Sequence, residues 1–535
     1  MPTRVVDRVA QAGKTPEPDR RVDILIVGGG PAGASAALEA AVAGATVLLV
    51  DENPVEPGLM GLDTPLYYGA RYSNAVHTPD RLMAQVFAAN PVLEQAIEAG
   101  AEIELGVCCW GAFVPGLGLK SLPGSVAGLA DTSAATMVGF ERIIIATGAR
   151  DVAFSFEGWD RPGVMGARAF EALAKTYDAF AGRRLAILGS GELGLHTARF
   201  ALDHGLEVAA IVETCEATQG PAALVADILA AGVPILTGHV PCQARGGIDG
   251  VETLQVRPLD GGEDVTLVCD TIVQAVSLTP VVELLDVLGA DLAMLPHLGG
   301  HAPVSADGVT TSLANVFVAG EAAGVPGGAH LTAEAASDSG RRAAWAALAS
   351  LGRAAAESPP AAPAGAFDAV AYQQAWMRAL MEVNPASTLI CQCEEVSREA
   401  LLAVRPPAYL GPPSPAQARR DLERLLEDGP ANQDQIKRLT RACMGPCQAR
   451  RCREQVALAL ACASNEPAAR VPLAGYRAPV RALPLSLLAA WDETPAMSRY
   501  WDVWMGISGQ WTPYDDIGTE REALSAGILG GDAAA

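Results

Sequence analysis

The chain has 535 residues, half of them hydrophobic, with a formal net charge of −23 and an isoelectric point near 4.7. Such an acidic chain is a poor partner for nucleic acid or an anionic membrane surface, and its length allows three or four domains with cores of their own. The first twenty residues contain no apolar h-region, and no apolar stretch is long enough to cross a bilayer. We therefore expect a cytoplasmic location, with no signal peptide and no transmembrane segment.

The stretch Arg21–Asn53, RVDILIVGGGPAGASAALEAAVAGATVLLVDEN, predicts a strand, a glycine turn, a helix and a second strand. The strands, Val22–Val27 and Val47–Val50, are short apolar runs typical of a buried parallel sheet. The G-x-G-x-x-G spacing lets the backbone turn tightly, approach a pyrophosphate and pack the helix on the sheet, and an acid ending the second strand can bind ribose hydroxyls. The alternative, an Ala- and Gly-rich turn in another α/β protein, does not explain the terminal acid. The predicted cofactor-binding residues here are Gly28, Gly30, Pro31, Ala32, Gly33, Asp51 and Glu52.

The segments that follow, up to residue 149, predict the rest of the first nucleotide domain. Glu52–Gly69 is rich in Pro and Gly and predicts a long loop, and Thr78–Gly100 has a helical pattern. Cys108 and Cys109 predict buried strand thiols, because adjacent cysteines rarely reach disulfide geometry. Glu141–Ala149, ERIIIATGA, predicts a strand that runs into the Ala-Thr-Gly turn closing the first nucleotide domain of two-dinucleotide flavoproteins. We assign Ala146, Thr147 and Gly148 to cofactor binding.

The opening pattern is repeated in Arg183–Glu213, RRLAILGSGELGLHTARFALDHGLEVAAIVE. Gly189, Gly191 and Gly194 keep the glycine spacing, and Glu213 takes the position of the acid. A carboxylate there would accept the 2′-hydroxyl of NAD or ATP and repel a 2′-phosphate, so we expect no NADP if the site is used. The alternative is a second dinucleotide-type domain that persists as a scaffold without a nucleotide.

A third landmark, Thr311–Ala344, predicts a strand at Val316–Ala319 that ends at Gly320-Glu321 and is followed by a helix. In glutathione-reductase-like flavoproteins this segment returns to the first domain, and its acid contacts the ribityl or pyrophosphate side of FAD. That acid is usually Asp, and the longer Glu321 should still reach. His330 is the one histidine that we single out as a candidate functional residue near the expected flavin face, although a capping or core role is the favoured interpretation.

Clustered cysteines follow a Pro- and Ala-rich linker, Gly352–Ala366. A C-x-C pair, Cys391 and Cys393, is followed by the stretch TRACMGPCQARRC, which contributes Cys443, Cys447 and Cys452. Four thiolates can hold a [2Fe–2S] centre, and clustered cysteines in an intracellular chain favour metal or redox chemistry over disulfides. A structural zinc site is the alternative, although zinc ribbons more often carry two C-x-x-C knuckles.

The second half of this cluster resembles the bacterioferritin-associated-ferredoxin type of [2Fe–2S] domain fused into bacterial flavoprotein subunits, which reads TR-x-GMG-x-CQGR-x-C. The resemblance implies Cys391, Cys393, Cys447 and Cys452 as iron ligands. Two positions depart from it: Ala449 and Cys443 stand where the motif has Gly, so Cys443 competes with Cys447 as a ligand. The segment 405–429 is longer than expected, which suggests a surface insertion.

Two further segments, Ala146–Ala167 and Tyr476–Leu488, resemble the A (α) subunits of heteromeric FAD-dependent amine and amino-acid dehydrogenases of the opine oxidase, hydrogen cyanide synthase and D-hydroxyproline dehydrogenase type. The resemblance implies an electron-transfer subunit with FAD and [2Fe–2S], for which a D-amino-acid-oxidase-like partner oxidises an opine- or proline-type substrate. It also implies two candidate components, FMN at a subunit contact and a small additional iron–sulfur subunit. NAD or ATP in the second nucleotide domain is a further candidate, which rests on the acid at Glu213.

The resulting architecture is an α/β flavoprotein with two nested dinucleotide-binding domains of the glutathione-reductase type, plus a small, mainly helical [2Fe–2S] domain. We expect an FAD domain at 1–155 and 285–351, a second dinucleotide domain at 156–284, a linker and connecting helix at 352–387, the [2Fe–2S] domain at 388–465 and an extension at 466–535. The tail beyond about Ala490 holds four of the eight tryptophans, which predicts a docking segment or a wrap over the chain's own core.

Two other functions stay open at this level. One is a stand-alone NADH-dependent flavin and iron–sulfur reductase, in which hydride enters at the second glycine motif. The other is a scaffold subunit that binds ATP or ADP without turnover. No C-x-x-C or C-x-x-x-x-C pair lies beside the first motif, which argues against a disulfide reductase, and no Ser/His/Asp signature nominates a catalytic residue.

Overall fold

The computed structural model describes residues 17–53, 71–115, 124–354 and 367–490. Most of the predicted loop Glu52–Gly69, most of the linker Gly352–Ala366 and the tryptophan-rich tail lie outside the described residues. Strands of the first part of the chain are β1 Arg20–Val27, β2 Val47–Asp51, β3 Glu102–Leu105, β4 Cys108–Phe113, β5 Val126–Ala130, β6 Ala135–Ile145, β7 Ala149–Asp151, β8 Val164–Gly166, β9 Arg184–Leu188 and β10 Glu207–Val212. Strands of the later part are β11 Ile235–Leu236, β12 His239–Gly247, β13 Gly250–Pro258, β14 Val265–Val268, β15 Thr271–Gln274, β16 Leu278–Pro280, β17 Leu292–Leu295, β18 Gly300–Pro303, β19 Val316–Val318, β20 Leu389–Cys391 and β21 Val396–Ser397.

The α-helices divide between the nucleotide domains and the cysteine-rich part. The first group is α1 Pro31–Val42, α2 Pro79–Ala89, α3 Val92–Glu98, α4 Ala167–Glu171, α5 Glu192–Asp203, α6 Ala222–Ala230, α7 Glu283–Leu288 and α8 Ala333–Ser350. The second group is α9 Ala369–Val383, α10 Arg398–Leu402, α11 Pro415–Ala418, α12 Leu422–Asp428, α13 Gln433–Thr440, α14 Arg453–Ala463 and α15 Leu485–Ala490.

The first domain is built on a seven-stranded sheet in the order β3-β2-β1-β6-β5-β4, with β19 also paired to β6. Strands β3, β2, β1, β6 and β19 are parallel, whereas β4 and β5 continue from β6 as an antiparallel meander. The Ala-rich helix α1 lets α8 approach closely: a Cβ on Gly340 would lie 1.9 Å from the carbonyl oxygen of Ala32. Small side chains therefore set the spacing between the two helices on this face of the sheet.

The second domain has a parallel five-stranded sheet in the order β11-β10-β9-β15-β8 and an antiparallel sheet of β12, β13 and β14. The strands β7 and β16 pair antiparallel and join the two domains. The predicted α/β architecture of two nested dinucleotide-binding domains is confirmed. The inner parallel strands of both sheets are largely buried, as their apolar sequences indicate, whereas the edge strands β3 and β11 are only partly buried.

Two predicted elements differ in detail from the structure. The helical stretch Thr78–Gly100 forms two helices, α2 and α3, because Pro91 lacks the N–H that a continuous helix needs. The helix predicted after β19 does not follow at once: two 3₁₀ turns at 320–323 and 326–328 come first, and α8 begins only after Thr332, whose hydroxyl oxygen accepts from the N–H of Ala335 at 3.2 Å.

The cysteine-rich part is mainly helical, with the small antiparallel pair β20 and β21 at its start. Helix α9 leads into it and packs against α14, the helix that follows Cys452. The long segment 405–429 contains a 3₁₀ turn at 408–410 and the short helices α11 and α12. None of the helices in the described ranges combines the length and the apolar character needed to span a bilayer.

Candidate functional site

The first glycine turn has a shape that side chains would destroy. Gly28 has φ +113°, and a Cβ there would lie 2.2 Å from the carbonyl oxygen of Ala146. A Cβ on Gly33 would lie 1.8 Å from the carbonyl oxygen of Gly28. The turn, strand β6 and helix α1 thus meet backbone to backbone, which is the close packing that a dinucleotide-binding turn requires.

The start of helix α1 is open and carries no side chain that would compete with an anion. Gly30 is the N-cap residue with φ −67° and ψ −178°, is exposed to solvent, and is followed by Pro31 in the first turn. No side chain caps this end, and no acidic residue lies in its first turn. The free N–H groups at a helix start attract a phosphate, so this end fits the pyrophosphate of a dinucleotide.

Asp51 ends β2 beside this turn. One carboxylate oxygen accepts from the N–H of Gly29, and the other accepts from the backbone N–H and the side-chain amide of Asn53 at 2.6 and 2.8 Å. Burial raises the pKa of this carboxyl, and the backbone hydrogen bonds act against that rise. The acid is therefore held at the edge of the turn by the same backbone that the glycines shape.

Glu321 lies in a charged cluster where the third landmark returns to the first domain. Its carboxylate pairs with the guanidinium of Arg168 at 2.9 Å and with Nδ1 of His330 at 3.2 Å, and it accepts from the N–H of Leu331 at 3.2 Å. Burial opposes ionisation, but the His330 hydrogen bond and the Arg168 charge keep the pKa of Glu321 below its usual range. Nε2 of His330 also lies 3.2 Å from the Glu171 carboxylate, so this ring lies between two acidic side chains.

A cleft of about 280 Å³ lies where both nucleotide domains and the cysteine-rich part meet. Thr147, whose hydroxyl donates to the carbonyl oxygen of Val281 at 2.8 Å, lines it from the first domain. The lining also includes five arginines and two acids: Arg150, Arg168, Arg450, Arg451, Arg481, Glu52 and Asp151. The cleft therefore brings charged side chains together directly after the Ala146–Gly148 turn.

The pKa values of the two acids in the cleft, Glu52 and Asp151, are shifted in opposite directions. Glu52 pairs with Arg481 at 2.6 Å, and although burial opposes ionisation, this guanidinium keeps the pKa of Glu52 below its usual range. At Asp151 burial dominates and raises the pKa to about 6, partly offset by a hydrogen bond from the N–H of Arg168. Asp151 is thus the group in this cleft that can hold a proton near neutral pH.

The second glycine turn has the same backbone shape but is covered. Gly191 is the N-cap of α5 with φ −65° and ψ 177°, close to the values at Gly30, yet it is buried. A Cβ built on it would lie 3.6 Å from Cε1 of Tyr372, and one on Gly194 would lie 1.9 Å from the carbonyl oxygen of Gly189. Unlike α1, α5 also carries an acidic residue, Glu192, in its first turn.

The acid of this second turn is fully buried and hydrogen-bonded. Oε2 of Glu213 accepts from the N–H and the hydroxyl of Ser190 at 2.9 and 2.7 Å and from the Tyr372 hydroxyl at 2.5 Å. Oε1 accepts from the N–H of Cys215 at 2.9 Å. Burial and the adjacent Glu213 carboxylate raise the pKa of Tyr372 well above its usual value, so the phenol is a donor.

Five cysteines come together in the cysteine-rich part. The Sγ atoms of Cys393 and Cys447 lie 3.5 Å apart, and Sγ of Cys452 lies 3.7 Å from that of Cys391 and 3.6 Å from that of Cys443. Two thiolates on one tetrahedral metal, each about 2.3 Å from it, are separated by about 3.8 Å. Hydrogen bonds from neighbouring thiols lower the pKa of Cys391 and Cys447.

The loops that carry these sulfurs contain an unusual run of left-handed backbone. Cys443 has φ +69° and Ala449 has φ +67°, the two positions at which the resembling motif has Gly. Gly445 makes the closest approach, because a Cβ there would lie 2.6 Å from Sγ of Cys393. The two departures from the motif therefore keep the backbone shape that glycine adopts without strain.

The sulfurs form one connected group, because Sγ of Cys452 lies next to both Cys391 and Cys443, and Cys393 lies next to Cys447. Among the ranges described, no set of three or more His, Cys, Asp or Glu side chains is placed to hold a single metal ion. Thiolates suit either a structural zinc site, which takes four on one ion, or a [2Fe–2S] centre, in which each iron takes two. The all-thiolate donor set fits such a centre, and the ligands Cys391, Cys393, Cys447 and Cys452 stay a prediction.

Several residues of these sites were not predicted from the sequence. Arg168, Asp151 and Arg481 shape the cleft, and Tyr372 covers the second turn. Each makes its contact with a residue far away in the chain, so no local pattern marks it. Cys443 was noted only as a rival ligand, and the structure places it beside Cys452 rather than beside Cys393.

The two nucleotide domains correspond to a known family. Residues 22–340 match the family described as pyridine nucleotide-disulphide oxidoreductase. The chain belongs to this family. It is an FAD-dependent oxidoreductase subunit.

Curated relatives agree with the resemblance stated above. The chain is 27% identical over 516 residues to the opine oxidase A-subunit of Rhizobium meliloti, covering 88% of each chain. It is 26% identical over 490 residues to hydrogen cyanide synthase subunit HcnB of Pseudomonas aeruginosa, covering 80% of this chain and 90% of that one. The predicted membership in the A-subunit family of heteromeric dehydrogenases is confirmed.

A solved structure shows the same fold over most of the chain. L-proline dehydrogenase from P. horikoshii matches with a TM-score of 0.58 and 20% identity, covering 89% of this chain and 81% of that one. This likeness concerns the fold alone.

Proposed function

We propose that this chain is the FAD- and [2Fe–2S]-containing electron-transfer subunit of a heteromeric dehydrogenase or oxidase for amines or amino acids of opine or proline type. In this proposal a D-amino-acid-oxidase-like partner subunit oxidises the substrate, and this chain receives the electrons. The names of the relatives, which are subunits of heteromeric oxidases, support this assignment. The partner, FMN at the subunit contact and a small additional iron–sulfur subunit rest on the resemblance alone.

The observation that carries the proposal is the position of the cysteines relative to the cleft. Arg450 and Arg451 line the cleft and lie in the loop between Cys447 and Cys452. Thr147 and Asp151 line it from the first domain, directly at the turn expected to face the flavin. The loop between Cys447 and Cys452 and the flavin side of the first domain therefore border one cavity, which suits the passage of electrons between two redox groups.

The chain's own residues have distinct parts in this proposal. Cys391, Cys393, Cys447 and Cys452 would hold the cluster, which supplies a centre that takes and returns one electron at a time. Four thiolates bring excess negative charge, and the arginines at 450 and 451 and at 453 place positive charge beside it. Asp151, with a pKa of about 6, can hold or release a proton at the cleft when the charge of the flavin changes.

The test is an absorption spectrum of the purified chain under anaerobic conditions, before and after NADH, together with iron, sulfide and zinc analysis. We expect flavin bands with broad iron–sulfur shoulders that NADH leaves unchanged and dithionite bleaches. Cys447→Ser should lose iron and the shoulders. Cys462→Ser is the matched control, since this thiol lies on α14 outside the cysteine group and contacts the carbonyl oxygen of Gln374 at 3.7 Å.

Two results would contradict the proposal. Prompt bleaching of both chromophores by NADH would indicate the stand-alone reductase. Flavin bands without shoulders, with stoichiometric zinc, would assign the cysteines to a structural metal site.

A further inference from the structure

The two copies of the glycine motif differ in what lies over them. The N-cap glycines, Gly30 and Gly191, have the same extended backbone conformation, and each begins a twelve-residue helix. Gly30 is exposed, whereas Gly191 is buried together with Gly189 and Ser190. The difference therefore comes from the covering residues and not from the turn itself.

Part of the cover comes from the segment after β10. The N–H of Gly220 donates to the carbonyl oxygen of Ser190 at 2.9 Å, and the N–H of Gln219 donates to the Ser190 hydroxyl at 3.1 Å. A Cβ on Gly220 would lie 3.1 Å from the carbonyl carbon of Gly191. The backbone at 219–220 therefore lies against the glycine turn, in the space that a bound pyrophosphate would have to occupy.

The rest of the cover is the first turn of α9. The Tyr372 ring lies over Gly191, where an added Cβ would meet its Cε1 at 3.6 Å, and its hydroxyl donates to Oε2 of Glu213 at 2.5 Å. Phe367 and Trp376 pack edge-on against the ring, with centroids 5.7 and 6.5 Å away. A hydroxyl donating to the acid at the end of the second strand is the contact that a nucleotide ribose makes in this fold.

We propose that the second dinucleotide-binding fold of this chain is a socket for its own helix α9, in which the Tyr372 hydroxyl takes the place of a ribose hydroxyl on Glu213 and dinucleotides are excluded. The second glycine turn and Glu213 then have a structural role, which is to hold helix α9. This inference goes beyond the proposed function and concerns a different site.

The same helix is fixed to other parts of the molecule by two glutamines that follow Tyr372. The side-chain amide of Gln373 donates to the Ser277 hydroxyl at 2.8 Å and to the carbonyl oxygen of Gly299 at 3.1 Å. The amide of Gln374 donates to the carbonyl oxygen of Glu466 at 2.8 Å, beyond α14. Docking of α9 in the socket therefore sets where the cysteine group stands relative to both nucleotide domains.

The experiment measures NADH binding to the full chain by fluorescence quenching and calorimetry, together with thermal unfolding of two variants. The native chain should show no saturable binding of NADH at concentrations up to about 1 mM, well above the usual range of cofactor affinities. Tyr372→Phe keeps the ring and removes one hydroxyl from a buried carboxylate, so the midpoint Tm should fall by about 2–4 °C.

The matched control is Tyr476→Phe. This tyrosine is also buried, but its hydroxyl has no hydrogen-bond partner within the described part of the chain, so its removal should leave Tm unchanged. Saturable NADH binding to the native chain that Glu213→Ala abolishes would overturn the proposal. Equal Tm for Tyr372→Phe and Tyr476→Phe would do the same. The NADH-binding result stands even if a variant fails to fold, and it is independent of the iron content that tests the proposed function.

Discussion

Replacing Gly445 by Ala tests whether the cysteine loops need backbone contact at this point. The new Cβ would lie 2.6 Å from Sγ of Cys393 and 2.8 Å from Cγ of Glu394, whereas ordinary contacts begin at 3.4 Å. Glu394 is held by Arg441 at 2.6 Å and also by Tyr409, so Cys393 is the side chain that must move. A shift of about 0.8 Å would take Cys393 out of contact with Cys447, at a cost of about 1–3 kcal/mol for overpacking.

The assay is chemical unfolding of Gly445→Ala together with its iron and sulfide content. We expect lower stability and a loss of most of the iron. Gly429→Ala is the control in the same part of the chain, because a Cβ there meets nothing within 4 Å and its backbone is extended. Full iron content and native stability in Gly445→Ala would refute the packing argument.

Three further predictions concern the left-handed loop, the cleft and the Glu321 cluster. Ala449→Gly should raise the free energy of unfolding by up to about 1 kcal/mol, because Ala449 has φ +67° and glycine adopts this conformation without strain; an unchanged or lower value in urea titration would contradict this. The Asp151 carboxyl has a pKa of about 6 in the folded chain, above its unfolded value, so its contribution to stability is present below pH 4 and is lost as pH rises through 6. Asp151→Asn should therefore be more stable than the native chain at pH 7 by about 1–2 kcal/mol and equal to it near pH 4, as measured by unfolding at each pH. Arg168→Met should cost about 1–3 kcal/mol, since it leaves the buried Glu321 carboxylate without its cation, and adding Glu321→Gln should recover much of that loss; additive costs in this double-mutant cycle would show that the two side chains do not interact.

The backbone shape of the first glycine turn follows from the sequence because its signal is local, while its role in cofactor binding stays a prediction. Strand, glycines, helix and acid lie within one βαβ unit, and the contacts of Gly28, Gly33 and Asp51 are with each other or with the neighbouring strand. The second copy has the same glycine spacing and the same backbone conformation at its N-cap. Tyr372, which covers it, lies 159 residues beyond Glu213, and no sequence pattern links the two residues. Whether a glycine motif is open is thus a tertiary property.

In the cysteine-rich part, too, the sequence reveals the candidate residues but not their contacts. The five cysteines could be picked out from their clustering, but the positive φ angles at Cys443 and Ala449 explain why the resembling motif has glycine at these positions. The pairing of Cys393 with Cys447 depends on the approach of Gly445, which only three-dimensional packing reveals. Likewise, Pro91 divides a stretch whose apolar periodicity predicts a single helix.

The central claim, that flavin and cluster share one chain, is tested most directly by counting electrons. The purified chain would be titrated anaerobically with dithionite while absorbance and electron paramagnetic resonance are recorded. The account predicts about three electrons per chain, two for the flavin and one for the cluster, with a paramagnetic signal of a reduced [2Fe–2S] centre. Two electrons per chain, with no signal at any stage, would contradict it.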